Sequence, residues 1–223
     1  MATLRPAPRR TRDAERTRTQ VLDAAEALFA ERGFAASSMA EIGARAGVSR
    51  GTPGYFFRTK ELLYRAVMER SFAEALETVR AGRVRALRSG RPRAEVLEGA
   101  VSDYVDFVAA HPLFIRLIQR EALGADDAFG DLPLGRAVGD EAVAALAQEL
   151  GFPTGARAEA QHLLLSLVAL TWFPQLHADT LVRAIGIDPS AKRFLATRKR
   201  HITALLLGAL PAPHRSSSRR SRR

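Results

Sequence analysis

Apolar residues recur along most of the chain with the spacing of an α-helix. After Thr17 they fall three or four residues apart, acidic residues occupy the opposite face, and Gly33 supplies a stop signal. The apolar positions of this first helix are Val21, Ala24, Ala25, Leu28 and Phe29. No segment shows the strict alternation that marks a half-buried strand. The pattern predicts an all-α protein of about nine helices.

Local end signals divide the segment 38–57 into two short helices. Ser38 and Glu41, three residues apart, have the capping-box pattern that opens the first of them. Gly47 and the valine and serine after it predict a tight turn, and the second helix fills the rest of the segment. Ala46 is small enough to permit close contact between the two helices. Such a helix-turn-helix places its second helix in the major groove of DNA.

The same periodicity predicts the remaining helices. Thr59 caps a long helix that fades at Gly82, and Pro112 stands in the first turn of a later one. Residues 124–131 are expected to form a loop. The other helices are expected near residues 96–108, 113–118, 134–150, 156–173 and 190–210, the last of them capped by Asp188 or Ser190.

Positive charge is concentrated at the two ends of the chain, whose formal net charge is +10. Residues 1–18 hold six arginines against two acids, and residues 211–223 hold five arginines and no acid, whereas residues 61–210 are balanced. We expect disordered basic segments over residues 1–16 and 211–223. The C-terminal segment is either a non-specific nucleic-acid arm or a solvated end.

Composition excludes several classes of protein. The 223 residues, 47% of them apolar, suffice for a packed core, and the absence of cysteine rules out disulfides, thiolate catalysis and cysteine-bound zinc. The longest nearly apolar run, 163–173, is shorter than the ~20 residues of a membrane span. The arginine-rich start is unlike a signal peptide. We expect a cytoplasmic protein.

Three motifs resemble the tetracycline-repressor (TetR) family. They are AALFAERGF in the first helix, AGVSRGT at the turn, and FFRTKELLYRAV, which leads into the long helix. The resemblance covers about the first third of the chain. It implies an all-α homodimer in which a DNA-binding domain, residues 17–60, binds a palindromic operator. Residues 61–210 would then form a helical domain for dimerisation and for a small effector that releases the DNA.

The resemblance also assigns DNA-facing positions. The matching residues are Ser38, Met39, Arg50, Gly51, Thr52, Tyr55 and Lys60. Phe56 matches too, but its ring cannot donate to a phosphate. Pro53 and Gly54 replace the family's usual Leu-Tyr, which removes one helical N–H and one phosphate-contacting hydroxyl, a contact that Tyr55 could take over. The residues alone also allow Arg50 to be a solvated charge at a helix start and Tyr55 to seal the small core.

The body of the chain shows no catalytic constellation. Its histidines are scattered, and it has no triad order, phosphate loop or metal-ligand spacing, so we expect no cofactor, no metal site and no enzymatic activity. The family resemblance implies a mostly apolar pocket for an effector that the sequence does not identify. The residues expected to line it are Tyr104, Phe107, His111, Phe114 and Trp172, each of which is also explained as ordinary core.

The last two long helices carry broad apolar faces. Apolar residues dominate 163–170 and 202–207, and the family resemblance implies a four-helix dimer interface there. The leading hypothesis is a ligand-responsive transcriptional repressor. Three alternatives remain: a non-specific architectural DNA-binding protein that uses the basic ends, a helical enzyme with an unrecognised site, and a helical protein-interaction scaffold.

Overall fold

The computed structural model describes residues 9–123, 133–153 and 155–209. Nine α-helices make up most of this part of the chain, and none of it forms a strand, which confirms the all-α fold. The helices are α1 Arg9–Arg32, α2 Met39–Arg45, α3 Thr52–Phe57, α4 Lys60–Ser89, α5 Arg93–Ala110, α6 Pro112–Leu123, α7 Pro133–Glu149, α8 Arg157–Leu176 and α9 Phe194–Ala209. A π-helical turn, Ala178–Val182, follows α8.

Helices α1, α2 and α3 pack with the start of α4 around a small apolar core. Val21, Phe29, Ile42 and Leu63 are fully buried in it. The rings of Phe29 and Tyr64 meet edge to face with their centroids 5.1 Å apart, an arrangement that the charge distribution of aromatic rings favours. The core therefore holds the helix-turn-helix against the first turns of the long helix.

The helix-end signals predicted from the sequence are present. Ser38 Oγ accepts from the N–H of Glu41 at 3.2 Å, and the N–H of Ser38 donates to Glu41 Oε2 at 3.0 Å, which completes the capping box. Thr59 caps α4 by accepting from the N–H of Leu62 at 3.2 Å. Gly47 has a φ of +70°, a conformation that glycine adopts without steric cost. Both ends of α2 are confirmed.

Gly43, rather than Ala46, is the residue that permits close contact between α2 and α3. A Cβ at Gly43 would lie 3.0 Å from the carbonyl oxygen of Ser49 and 3.3 Å from Cα of Arg50 and from Cδ of Pro53. Backbone atoms cannot retreat as a flexible side chain can. A side chain at this position would therefore push α3 away from α2.

The first helix starts well before Thr17. Residues 9–16 are helical, so the disordered segment expected over residues 1–16 is wrong for this stretch. No proline or glycine interrupts it, Thr17 Oγ1 donates to the carbonyl of Asp13 at 2.8 Å, and Arg16 pairs with Asp13 at 3.3 Å. The expectations for residues 1–8, 124–131 and 210–223 lie outside the described residues.

Two other helix boundaries differ from expectation. Helix α4 does not fade at Gly82 but continues to Ser89, where Gly90 ends it with a φ of +59°. A glycine inside a helix costs only about 1 kcal/mol, which packing of α4 against α5 and α7 offsets. Helix α9 starts at Phe194 rather than near residue 190, because the N–H of Ser190 bonds the side chain of Asp188 at 2.9 Å and closes a local turn instead.

A second apolar cluster holds the C-terminal body together. Leu97 and Val101 of α5 meet Leu150, which follows α7, and Ile202 of α9, and each is almost completely buried. Helix α4 belongs to both parts, because its first turns complete the N-terminal core and its later turns pack on α5 and α7. Within the described ranges no helix has the length and apolar character that crossing a membrane requires.

Candidate nucleic-acid interface and ligand cavity

The recognition helix α3 begins with an uncapped glycine and a proline in its first turn. Gly51 is the N-cap residue and Pro53 is buried beneath the helix. The N–H that proline lacks has no partner inside a helix at this position, so its absence removes no hydrogen bond. Thr52 Oγ1 and Ser49 Oγ lie 2.7 Å apart and join the turn to the helix. A Cβ on Gly54 would meet no described atom within 4 Å.

Arg50, in the turn before α3, and Tyr55, within α3, are both exposed to solvent. Tyr55 is 82% exposed, so the interpretation that it seals the small core is wrong. Its ring meets that of Phe56 edge to face at 5.2 Å, which restrains both side chains. Phe56 itself is half-buried against the N-terminal core. Arg50 and Tyr55 are therefore both accessible, and each carries a hydrogen-bonding group at its tip.

Ser38 and Met39 stand at the start of α2. Ser38 is exposed, and its hydroxyl also donates to Glu41 Oε2 at 2.6 Å. The hydrogen bond from Ser38 lowers the pKa of Glu41 below its usual range. Met39 is half-buried on the same core that anchors α3. Ser38 is thus accessible at the start of α2, but its hydroxyl already takes part in the capping box.

Lys60 has a structural role that its sequence position did not indicate. Its ammonium donates to the carbonyl oxygens of Phe34 at 2.9 Å and Ser37 at 3.0 Å, and it lies 4.3 Å from the centre of the Phe34 ring. The contacts join the first turn of α4 to the loop between α1 and α2. A phosphate contact by Lys60 stays a prediction.

A cavity of about 760 Å³ lies among α4, α5, α6, α7 and α8. Four of the five residues expected to line a pocket do so, namely Tyr104, Phe107, Phe114 and Trp172. Trp172 Nε1 donates to the phenol oxygen of Tyr104 at 2.7 Å and so ties α8 to α5. Burial raises the pKa of that phenol, which keeps it protonated. The volume is within the ~300–1,000 Å³ typical of small-molecule sites.

His111 does not line the cavity, contrary to expectation. Its Nδ1 lies 2.7 Å from the carbonyl oxygen of Phe107, its Nε2 lies 3.2 Å from a carboxylate oxygen of Glu74, and its ring stacks on that of Phe107 at 4.3 Å. These contacts hold the end of α5 against α4. His111 is a structural residue of this junction.

The outer faces of α8 and α9 expose large apolar side chains. Leu165 is 62% exposed, and Phe173 and Leu205 are each 48% exposed. Leu167 and Ile202, which belong to the same apolar runs, are buried in the second cluster instead. Each apolar run therefore has one face that packs in the core and another that is exposed to solvent.

Comparison with known proteins identifies the helix-turn-helix. Residues 21–67 match the family of bacterial regulatory proteins described as the tetR family. Over this segment, which holds α2 and α3, the chain is similar to the tetR family. It is 37% identical over 101 residues to the HTH-type transcriptional activator FasR of Mycolicibacterium smegmatis, an alignment that spans 45% of this chain and 44% of FasR. The chain thus spans less than half the length of that relative.

Solved structures share the fold over nearly the whole chain. A Streptomyces coelicolor protein assigned as a transcriptional regulator matches with a TM-score of 0.64 at 23% identity, covering 88% of this chain and 99% of its own. A TetR-like transcriptional regulator from a Rhodococcus species matches with a TM-score of 0.61 at 22% identity, covering 92% and 98%. At such identities the likeness shows a common fold.

Two residues that matter to the helix-turn-helix were not recognised from the sequence. Gly43 sets the distance between α2 and α3, and Arg120 of α6 reaches the end of α1, where it donates to the carbonyl of Ala30. A glycine inside a short helix of strong helix formers is a signal that could have indicated the role of Gly43. Nothing in the sequence marks the second, because its partner lies ninety residues away along the chain.

Proposed function

We propose that the chain is a sequence-specific DNA-binding transcriptional regulator that acts as a homodimer. One observation carries the proposal: the helix-turn-helix packs on a buried apolar core, while Arg50 and Tyr55 are exposed to solvent. An arginine can donate two hydrogen bonds to guanine, and a tyrosine hydroxyl can bond a phosphate oxygen. These are the groups that reading and positioning a duplex require.

The positive charge of α1 supports the same surface. Arg12, Arg16 and Arg18 are exposed on its N-terminal half, and Arg18 lies 4.9 Å from the centre of the ring of Phe57, the last residue of α3. Arg18 therefore lies beside α3, and Arg12 and Arg16 precede it on α1. Ser38, Met39, Gly51 and Thr52 would complete the contact surface, with phosphates approached by Lys60 or by backbone N–H groups.

The exposed leucines of α8 and α9 support dimerisation. In a two-fold dimer, Leu165 and Leu205 of each copy would be covered by the partner, and the two recognition helices would be set one DNA turn, ~34 Å, apart. Leu205→Glu should therefore give a monomer by light scattering, with lost operator affinity. The matched substitution Leu123→Glu, at the exposed end of α6, should stay dimeric.

The cavity supports regulation by a small molecule. A ligand that binds better to a conformation with poor operator affinity would release the DNA and relieve repression. A reporter gene behind the operator, measured with and without the chain, tests the direction of regulation. Lower expression with the chain present supports a repressor, and higher expression supports an activator instead.

Selection of bound duplexes from a random pool tests the function itself. We expect a two-fold symmetric sequence, bound more tightly than random duplex by ~10³ or more at physiological salt. Arg157→Ala, which removes an exposed arginine from the body, should select the same sequence. A pool with no common sequence would favour a non-specific architectural protein and contradict the proposal.

A further inference from the structure

The cavity is elongated along α4. Its lining begins at Phe72 and ends at Arg88 on that helix, a span of about 24 Å at the helical rise of 1.5 Å per residue. Small residues of three helices keep it open, among them Ala75 of α4, Gly99 of α5 and Gly139 of α7. A Cβ on Gly99 or Gly139 would meet no described atom within 4 Å. The shape suits a long, narrow molecule rather than a compact one.

One end of the cavity is aromatic and uncharged. Phe114 meets Phe72 edge to face at 5.3 Å and Phe107 at 6.0 Å, and Trp172 completes this end. The indole N–H is already bonded to Tyr104. Burying a hydrocarbon chain against such a surface is favourable by roughly 25 cal/mol for each Å² removed from water.

The other part of the lining is charged, with three arginines beside the acidic residues Glu95, Asp103 and Glu149. The segment 83–93, where α4 gives way to α5, holds five arginines and no acid. Three of them line the cavity: Arg85, which pairs with Asp103; Arg91, which lies 3.7 Å from Glu95; and Arg88. Arg88 is exposed and has no acidic partner among the described residues. An anionic group at this end would meet guanidinium groups while keeping contact with water.

Building on the regulator function proposed above, we propose that the cavity binds a linear amphipathic anion. Its hydrocarbon chain lies along α4 toward Phe114, and its carboxylate or phosphate head lies at Arg88 and Arg91. The opposite orientation would bury the charge among phenyl rings, where none of the described lining residues is a cation, and an unpaired buried charge is strongly disfavoured. Guanidinium groups bind both kinds of head through paired N–H donors.

Trp172 is the only tryptophan of the chain and lines the cavity, so its fluorescence reports binding directly. The full chain, without DNA, is titrated with sodium dodecanoate, dodecyl phosphate, 1-dodecanol and sodium butyrate, the two long-chain anions below their micelle concentrations and the alcohol below its solubility limit. We expect at least one long-chain anion to bind about tenfold more tightly than the alcohol, because charge-assisted hydrogen bonds add to the apolar contact. Which anion binds identifies the head group. The proposal is overturned if the alcohol or butyrate binds as tightly as the long-chain anions. It is also overturned if no probe changes the fluorescence of Trp172.

Variants test the two ends separately. The double substitution Arg88→Gln and Arg91→Gln should weaken binding of the anion about tenfold and leave the alcohol unchanged, whereas Arg80→Gln, on the same helix but outside the lining, should alter neither. Gly139→Leu should abolish binding of every long probe by filling the cavity. If both the double arginine variant and Gly139→Leu bind the long-chain anion as tightly as the original chain, the proposal is overturned. Because no DNA is present, failure here is distinct from failure of operator selection.

Discussion

Arg120 of α6 donates from Nε to the carbonyl oxygen of Ala30 at 2.9 Å, and from Nη2 to that of Glu31 at 2.6 Å. Both carbonyls belong to the last turn of α1, where no N–H of the same helix is available, and a cation is favoured there by the helix dipole. Two turns earlier, α6 contributes Phe114 to the cavity wall. One helix therefore contacts both the cavity and the end of α1.

Replacing Arg120 by methionine should weaken the contact between α6 and the end of α1. Arg120→Met keeps the length of the side chain but removes both donors, so the free energy of unfolding should fall by about 1 kcal/mol, given that the side chain is exposed. Urea denaturation measures the change. Arg116→Met, an exposed arginine of the same helix, is the control and should stay within about 0.5 kcal/mol of the original protein. Equal effects of the two substitutions would contradict the role given to Arg120.

Gly43 and Gly54 offer a matched pair of substitutions. Gly43→Ala places a Cβ 3.0 Å from the carbonyl oxygen of Ser49, so we expect a loss of about 1–3 kcal/mol in unfolding free energy. Gly54→Ala adds a methyl group in open space inside a helix and should gain about 0.5–1 kcal/mol. Thermal unfolding of both variants checks the signs. A stabilising Gly43→Ala would show that α2 and α3 are not in close contact.

Arg50 and Lys60 should differ in how they affect DNA binding. Arg50→Ala should relax the preference for the selected operator. Lys60→Ala should weaken all sequences alike, since it frees the loop from Phe34 to Ser37 and removes a positive charge that we propose lies near the phosphates. Binding of operator and random duplex, measured side by side, separates the two effects. A sequence-dependent effect of Lys60→Ala would contradict this assignment.

The capping box should make stability depend on pH. Because the pKa of Glu41 is lowered in the folded state by the hydrogen bond from Ser38, its stabilising effect is present above the unfolded value of 4.5 and is lost as the pH falls below it. Glu41→Gln should therefore flatten the decline of stability in acid. Unfolding midpoints between neutral pH and pH 3 measure this. Identical pH profiles for the two proteins would exclude the contribution.

Local signals explain why the helix-turn-helix could be predicted from the sequence, whereas the interhelical contacts of Arg120 and His111 could not. The helix-end signals act on backbone groups within four residues of themselves, so they can be predicted from the sequence. They are Ser38, Glu41, Gly47 and Thr59. The contacts of Arg120 depend instead on how distant helices pack. His111 was misplaced for the same reason: its position before a proline indicates a helix end, but not the direction of its ring.

The most direct test of the central claim is the ratio of affinities for the selected operator and for a scrambled duplex at physiological salt. The account predicts a ratio of ~10³ or more for the original chain, reduced at least tenfold by Arg50→Ala and unchanged by Arg157→Ala. A ratio near one, or one that Arg50→Ala leaves intact, would contradict sequence reading by α3.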